Sequence, residues 1–105
     1  KVKDAEYISI DIKTYSGLNF DFGYKELHIR IADPNGSILP YSNNETFFYN
    51  NEDILFSEKK SVKFSKSAFP INVVYSPKTK LDAGIYWVYA FVDGFKISET
   101  SFKLD

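Results

Sequence analysis

Side chains able to do covalent or acid–base chemistry near neutral pH are scarce in this sequence: it holds one histidine, His28, and no cysteine. Without cysteine there is no thiol nucleophile, no thiolate metal site and no disulfide, and the redox compartment stays open. A single imidazole cannot seed a zinc centre. Carboxylates are scattered as Asp21, Asp33, Glu45, Glu52, Asp53 and Asp82, without the spacing of a calcium loop. Whether any two of them approach as a glycosidase pair would cannot be read from residue order. Serines are plentiful, yet no nucleophile elbow accompanies His28, and no glycine-rich phosphate loop is present. These residues lead us to expect no enzyme, no metal and no cofactor, with His28 an ordinary surface side chain.

Non-covalent chemistry has a stronger signal. The stretch LDAGIYWVYAFVDGF (81–95) carries Trp87, Tyr89 and Phe91 at alternate positions. Alternate residues of a strand share a face, so with Ile85 these rings form a ladder, and Tyr86, Val88, Ala90 and Val92 take the core side. The ladder has two uses. It can be roofed by a loop of the same chain, for which 15–25 and 43–53 are candidates. It can instead be an exposed patch for a protein partner, a neighbouring domain of the same chain, or a carbohydrate that stacks on its rings.

Charge narrows the partner further. Thirteen Lys and Arg stand against fourteen Asp and Glu, a net charge of −1, without the basic footprint of a nucleic-acid binder or a polybasic anchor. No apolar run approaches the roughly 20 residues of a membrane span, so no direct membrane insertion is expected. The first residues, KVKDAEY, lack the apolar core of a signal peptide and start without Met, as expected of a module from a longer chain.

The elements that must position the ladder follow from period-two patterning. YISIDIK (7–13) alternates Ile8, Ile10 and Ile12 with polar residues, and ELHIRIA (26–32) sets Leu27, Ile29 and Ile31 inward with His28 and Arg30 outward. Between them, 15–25 reads as a loop that tucks rings over the core edge. DPNG (33–36) has the residues of a type I turn and sends the chain into SILPY. TFFY (46–49), Ile54–Phe56, SVKFSK (61–66) and FPINVVY (69–75) read as further short strands, those with outward Lys lying at edges. Asp93-Gly94 between apolar runs marks a type I′ hairpin pairing 85–92 with 95–104. Counted back from that turn, Phe91 lies beside Lys96, Tyr89 beside Ser98 and Trp87 beside Thr100. A β-bulge between Ser98 and Ser101 would turn Glu99 outward and bring Phe102 and Leu104 to the core. With no helical period and about seven or eight strands, the chain reads as one all-β domain over 1–105, an antiparallel β-sandwich.

Asp82-Ala83-Gly84-Ile85-Tyr86-Trp87-Val88 resembles the D-x-G-x-Y-x-C segment that opens strand F of immunoglobulin-like domains. The resemblance implies a tyrosine corner at Tyr86, with Val88 where the family often has Cys. The strand C tryptophan of antibody domains has no counterpart here. LHIRIADPNGSIL, ILFS and LDAGIYWVYAFVDGFKISETSFKL further resemble the C-terminal β-sandwich of uncharacterised coiled-coil-bearing proteins of Bacteroidetes-type bacteria. Leu27, Arg30, Ile31, Pro34, Gly36, Leu39, Gly84, Tyr86, Val88, Gly94, Ile97, Phe102 and Leu104 match that pattern, and Ser98 stands where it has glycine. Asp82, Gly84, Tyr86, Asp93 and Gly94 are thus expected to specify fold. The resemblance implies a bacterial module, with the cell envelope or periplasm as its setting. The resulting expectation is a non-catalytic structural or protein-interaction domain that binds through Trp87, Tyr89 and Phe91. A carbohydrate-binding module is the alternative.

Overall fold

The computed structural model describes residues 7–13, 23–42, 44–65 and 69–105. Within them the chain forms β1 (Ile8–Lys13), β2 (Gly23–Ala32), β3 (Thr46–Tyr49), β4 (Glu52–Leu55), β5 (Glu58–Phe64), β6 (Pro70–Tyr75), β7 (Gly84–Val92) and β8 (Phe95–Leu104). All of the strand pairing is antiparallel. One sheet runs β5-β2-β7-β8, a second pairs β1 with β6, and a third is the β3–β4 hairpin.

The core lies where the two-stranded β1-β6 sheet meets the inner face of the four-stranded one. Ile8, Ile10, Ile12, Ile71, Val73 and Tyr75 come from the first, and Leu27, Ile29, Ile31, Val62, Phe64, Tyr86, Val88, Ala90, Val92 and Ile97 from the second. Strict alternation supplies both faces: β1 is buried at every second residue, and so is β6. Each such aliphatic side chain contributes about 1.5–3 kcal/mol on burial, and no crosslink supplements them.

Several expectations change in the structure. Of the loop placed at 15–25, residues 15–22 lie outside the described ones, while Gly23 to Lys25 open β2 and pair with β5. Tyr24 therefore points to the outer face and stays 73% exposed instead of tucking over the core. SILPY, entered from the turn as expected, pairs only briefly. Ile38 makes one bridge to Ala32 and Leu39 N–H donates to Ile31 O, but Pro40 has no N–H with which to extend the ladder. Phe56, expected at the end of a strand, lies just past β4 and is buried against His28 and Tyr41, keeping 2% of its surface exposed.

The bulge in the closing hairpin sits earlier than expected. Ala90 pairs with Ser98 and Phe91 with Lys96, so Ile97 is the extra residue. Tyr89 then lies opposite Glu99 and Trp87 opposite Ser101, one residue on from the spacing read off the sequence. Any bulge before Glu99 would turn that carboxylate out. Placing it at Ile97 also lets Ile97 reach the core while Lys96 and Glu99 both stay outside. Residues three apart on a regular strand face opposite ways, yet here the bulge lets Lys96 Nζ reach Glu99 Oε1 at 2.6 Å.

Candidate functional site

The outer face of β2, β7 and β8 carries the aromatic ladder, and the pairing sets its neighbours. Opposite residues on β2 and β7 are His28 and Phe91, Arg30 and Tyr89, Ala32 and Trp87. Along this face the β3–β4 hairpin lies across one end only. Phe47 stacks on His28 with centroids 4.4 Å apart and planes 4° from parallel, and Tyr49 meets Phe91 edge-on at 4.7 Å. Phe56 comes in beneath, 4.9 Å from the His28 ring. The result is a small aromatic cluster outside the main core.

That cover divides the predicted binding residues. Phe91 is 5% exposed and packs under the hairpin, so of the three expected binding residues it offers the least free surface, though it still borders the groove beside Tyr89. Tyr89 is half-buried, and Trp87 keeps 42% of its surface exposed. Among the described residues the ring contacts of the hairpin with the ladder are made to Phe91, so its cover ends where the ladder opens. His28 is likewise no ordinary surface residue. Burial under Phe47 lowers its pKa from the usual 6.5, Glu26 opposes that shift and Lys59 adds to it.

The uncovered part of the face is a groove of about 630 Å³. Its floor is Trp87, Tyr89 and Arg30, one wall is Tyr49 at the hairpin, and the other is the Asp33–Gly36 turn with Pro34 and Ile38. That turn is built by local chemistry. Asp33 Oδ1 accepts the N–H of Asn35 and of Ser37, both at 2.9 Å, and Gly36 N–H donates to Asp33 O at 2.8 Å. Gly84 seats it: at φ 138° a Cβ there would lie 2.7 Å from Pro34 Cγ, so no other residue lets the turn close on the start of β7. Two residues on, Tyr86 has no exposed surface and its hydroxyl donates to Asp82 O at 2.6 Å. The other end of the ladder strand turns at Asp93 and Gly94, with φ of 50° and 79°.

Arg30 is the groove's cation. Its Nε donates to Leu55 O at 2.7 Å, tying β2 to the end of β4. Partial burial lowers its pKa, with Tyr89 and Glu52 acting the other way, and a guanidinium remains charged throughout. Lys96 also lines the groove but is bound to Glu99, and that hydrogen bond raises its pKa. A second, more apolar depression of about 340 Å³ lies between β1 and β8, against Ile8, Ile10, Phe102 and Leu104. Among the described residues no three His, Cys, Asp or Glu side chains gather to hold a metal ion.

Comparison with known proteins places the chain. The family described as a domain of unknown function (DUF8428) matches it over residues 1–105. The chain belongs to that family. No curated protein and no solved structure matches it. For this member of the family, the site rests on geometry: a groove that can hold a ligand by stacking, hydrogen bonding and charge. Arg30 and Tyr49 were not singled out for binding by the sequence. Arg30 could have been, because its outward position on β2 makes it a cross-strand neighbour of the ladder once β2 pairs with β7. Tyr49 had no such signal, since only folding back of the β3–β4 hairpin brings it to the groove.

Proposed function

We propose that this domain is a non-catalytic interaction module with an immunoglobulin-like sandwich architecture, and that it holds a protein partner or a neighbouring domain of its own chain in the groove floored by Trp87 and Tyr89. The sheet order β5-β2-β7-β8 corresponds to strands C′-C-F-G and the β1-β6 pair to B-E, with the Tyr86 hydroxyl at Asp82 O in the place of a tyrosine corner. On that correspondence the β3–β4 hairpin is an elaboration of the C–C′ connection folded onto the outer face.

The observation that carries the reading is the exposed Trp87. The chain roofs Phe91 with a hairpin of its own and leaves the larger ring of Trp87, four residues earlier on the same face, open beside a groove. Trp and Tyr are the side chains enriched where interfaces concentrate their binding energy. Stacked sugars would use the same rings but need acceptors for their hydroxyls. Asp33 is the only carboxylate lining the groove among the described residues, and its Oδ1 is committed to its own turn.

A photo-crosslinking amino acid at position 87, in the protein as it occurs in its own cells, tests this. It should trap a defined protein or a defined segment of the same chain. The same probe at Val74, which is 47% exposed on β6, should not. Equal labelling from both positions, or none from position 87, would overturn the reading.

A further inference from the structure

Resting on the interaction reading above, we propose that the groove takes an extended peptide segment that sets an Asp or Glu carboxylate on Arg30 and an adjacent aromatic or aliphatic side chain on Trp87. Arg30 lies directly opposite Tyr89, and its neighbour two residues on, Ala32, lies opposite Trp87, so cation and ring are adjacent on one face. The Nε–Leu55 O bond holds the guanidinium while its two terminal nitrogens have neither hydrogen bond nor ion pair among the described residues. The Trp87 indole N–H also has no hydrogen-bond partner among them and can only donate.

The groove's other charged side chains are engaged within the domain. Asp33 Oδ1 serves two backbone amides, and Lys96 is held by Glu99 at 2.6 Å. What remains is an excess of donors with one half-buried, unpaired cation, which calls for an anionic acceptor. The planar fork of a guanidinium fits a carboxylate with two parallel hydrogen bonds. A single Arg favours a carboxylate over a phosphate, which phosphopeptide-binding sites recognise with clusters of Arg. The Trp87 ring beside it supplies apolar area at low entropic cost, so the partner residue next to the acid is aromatic or aliphatic.

Phage-displayed random peptides selected on the domain provide the test, with affinities read from the fluorescence of Trp87, the only tryptophan. Enriched peptides should share an Asp or Glu beside a large apolar residue. Changing that acid to its amide, or Arg30→Gln, should each weaken binding at least about tenfold, and the two together by little more than either alone. Should Arg30→Gln fail to fold, the amide peptides on the unaltered domain and Arg30→Lys, which keeps charge but loses the fork, carry the same test. Peptides without an acid, or binding that Arg30→Gln leaves unchanged, would overturn the carboxylate site and leave the interaction reading standing. No enriched peptide, with quenching of Trp87 by polygalacturonate, would overturn both in favour of an acidic glycan. Absence of binding to either overturns both.

Discussion

Ser57 has no exposed surface, and its Oγ accepts the Ile31 N–H at 2.9 Å just past the point where β5 stops pairing with β2. Its own N–H donates to Ile29 O at 2.6 Å, so one residue completes both sides of the ladder where the chain turns in from Phe56. Replacing the hydroxyl by hydrogen leaves the Ile31 amide buried without an acceptor, which costs about 1–3 kcal/mol. Ser57→Ala should lower the urea midpoint accordingly without changing the slope; an unchanged midpoint would mean the amide has another acceptor. In the sequence, Ser57 stands next to Glu-Lys-Lys and looks like any solvated residue. Arg30 was equally plain as a polar position on an alternating strand. Their roles depend on residues 25 or more positions away in the chain, Leu55 for one and Ile31 for the other.

Among the elements, the β3–β4 hairpin differs in kind from the rest. Its strands pair only with each other, and it meets the main sheet through the rings of Phe47 and Tyr49 on His28 and Phe91 and through the Arg30 hydrogen bond to Leu55 O. β2 and β7 are paired on both sides and buried on their inner faces. Isolated two-stranded units are marginal in water, so the hairpin should open locally at low cost. Native-state hydrogen exchange should show amides of 46–55 exchanging well before those of Ile29, Ile31, Val88 and Ala90. Matching protection in the two groups would mean that the hairpin and the main sheet unfold as one unit. Opening of the hairpin would also expose Phe91 and lengthen the ladder, which links this local stability to the width of the groove.

Across the whole molecule, two buried tyrosines hold the facing sheets. Tyr75 on β6 donates its hydroxyl to Pro40 O at 2.7 Å, and Tyr86 on β7 donates to Asp82 O. Burial, helped by Glu58, pushes the Tyr75 pKa up from 10.0 to about 12, and burial with Asp82 and Asp33 raises that of Tyr86. Both groups favour the protonated form in the folded state. For Tyr75 the contribution to stability is therefore complete below pH 10.0 and falls as the pH rises from there towards 12, and Tyr86 acts in the same direction. Followed by tyrosinate absorbance, Tyr75 and Tyr86 should ionise only together with the loss of near-UV circular dichroism. Smooth titration of all eight tyrosines with the fold intact would contradict it.

By itself the sequence determined the strands and their faces. Period-two alternation states which side of each strand is apolar, and the turn residues at Asp33–Gly36 and Asp93-Gly94 state where the chain reverses. It also showed that Trp87, Tyr89 and Phe91 share the outer face, a matter of parity alone. Tertiary structure decided which of them remained available. A roof is a long-range contact between Phe47, Tyr49 and a strand some 40 residues later, and no local pattern encodes it. The same holds for the position of the bulge at Ile97, which depends on which residue the core can admit, and for Arg30, which becomes part of a groove only when β2 lies beside β7.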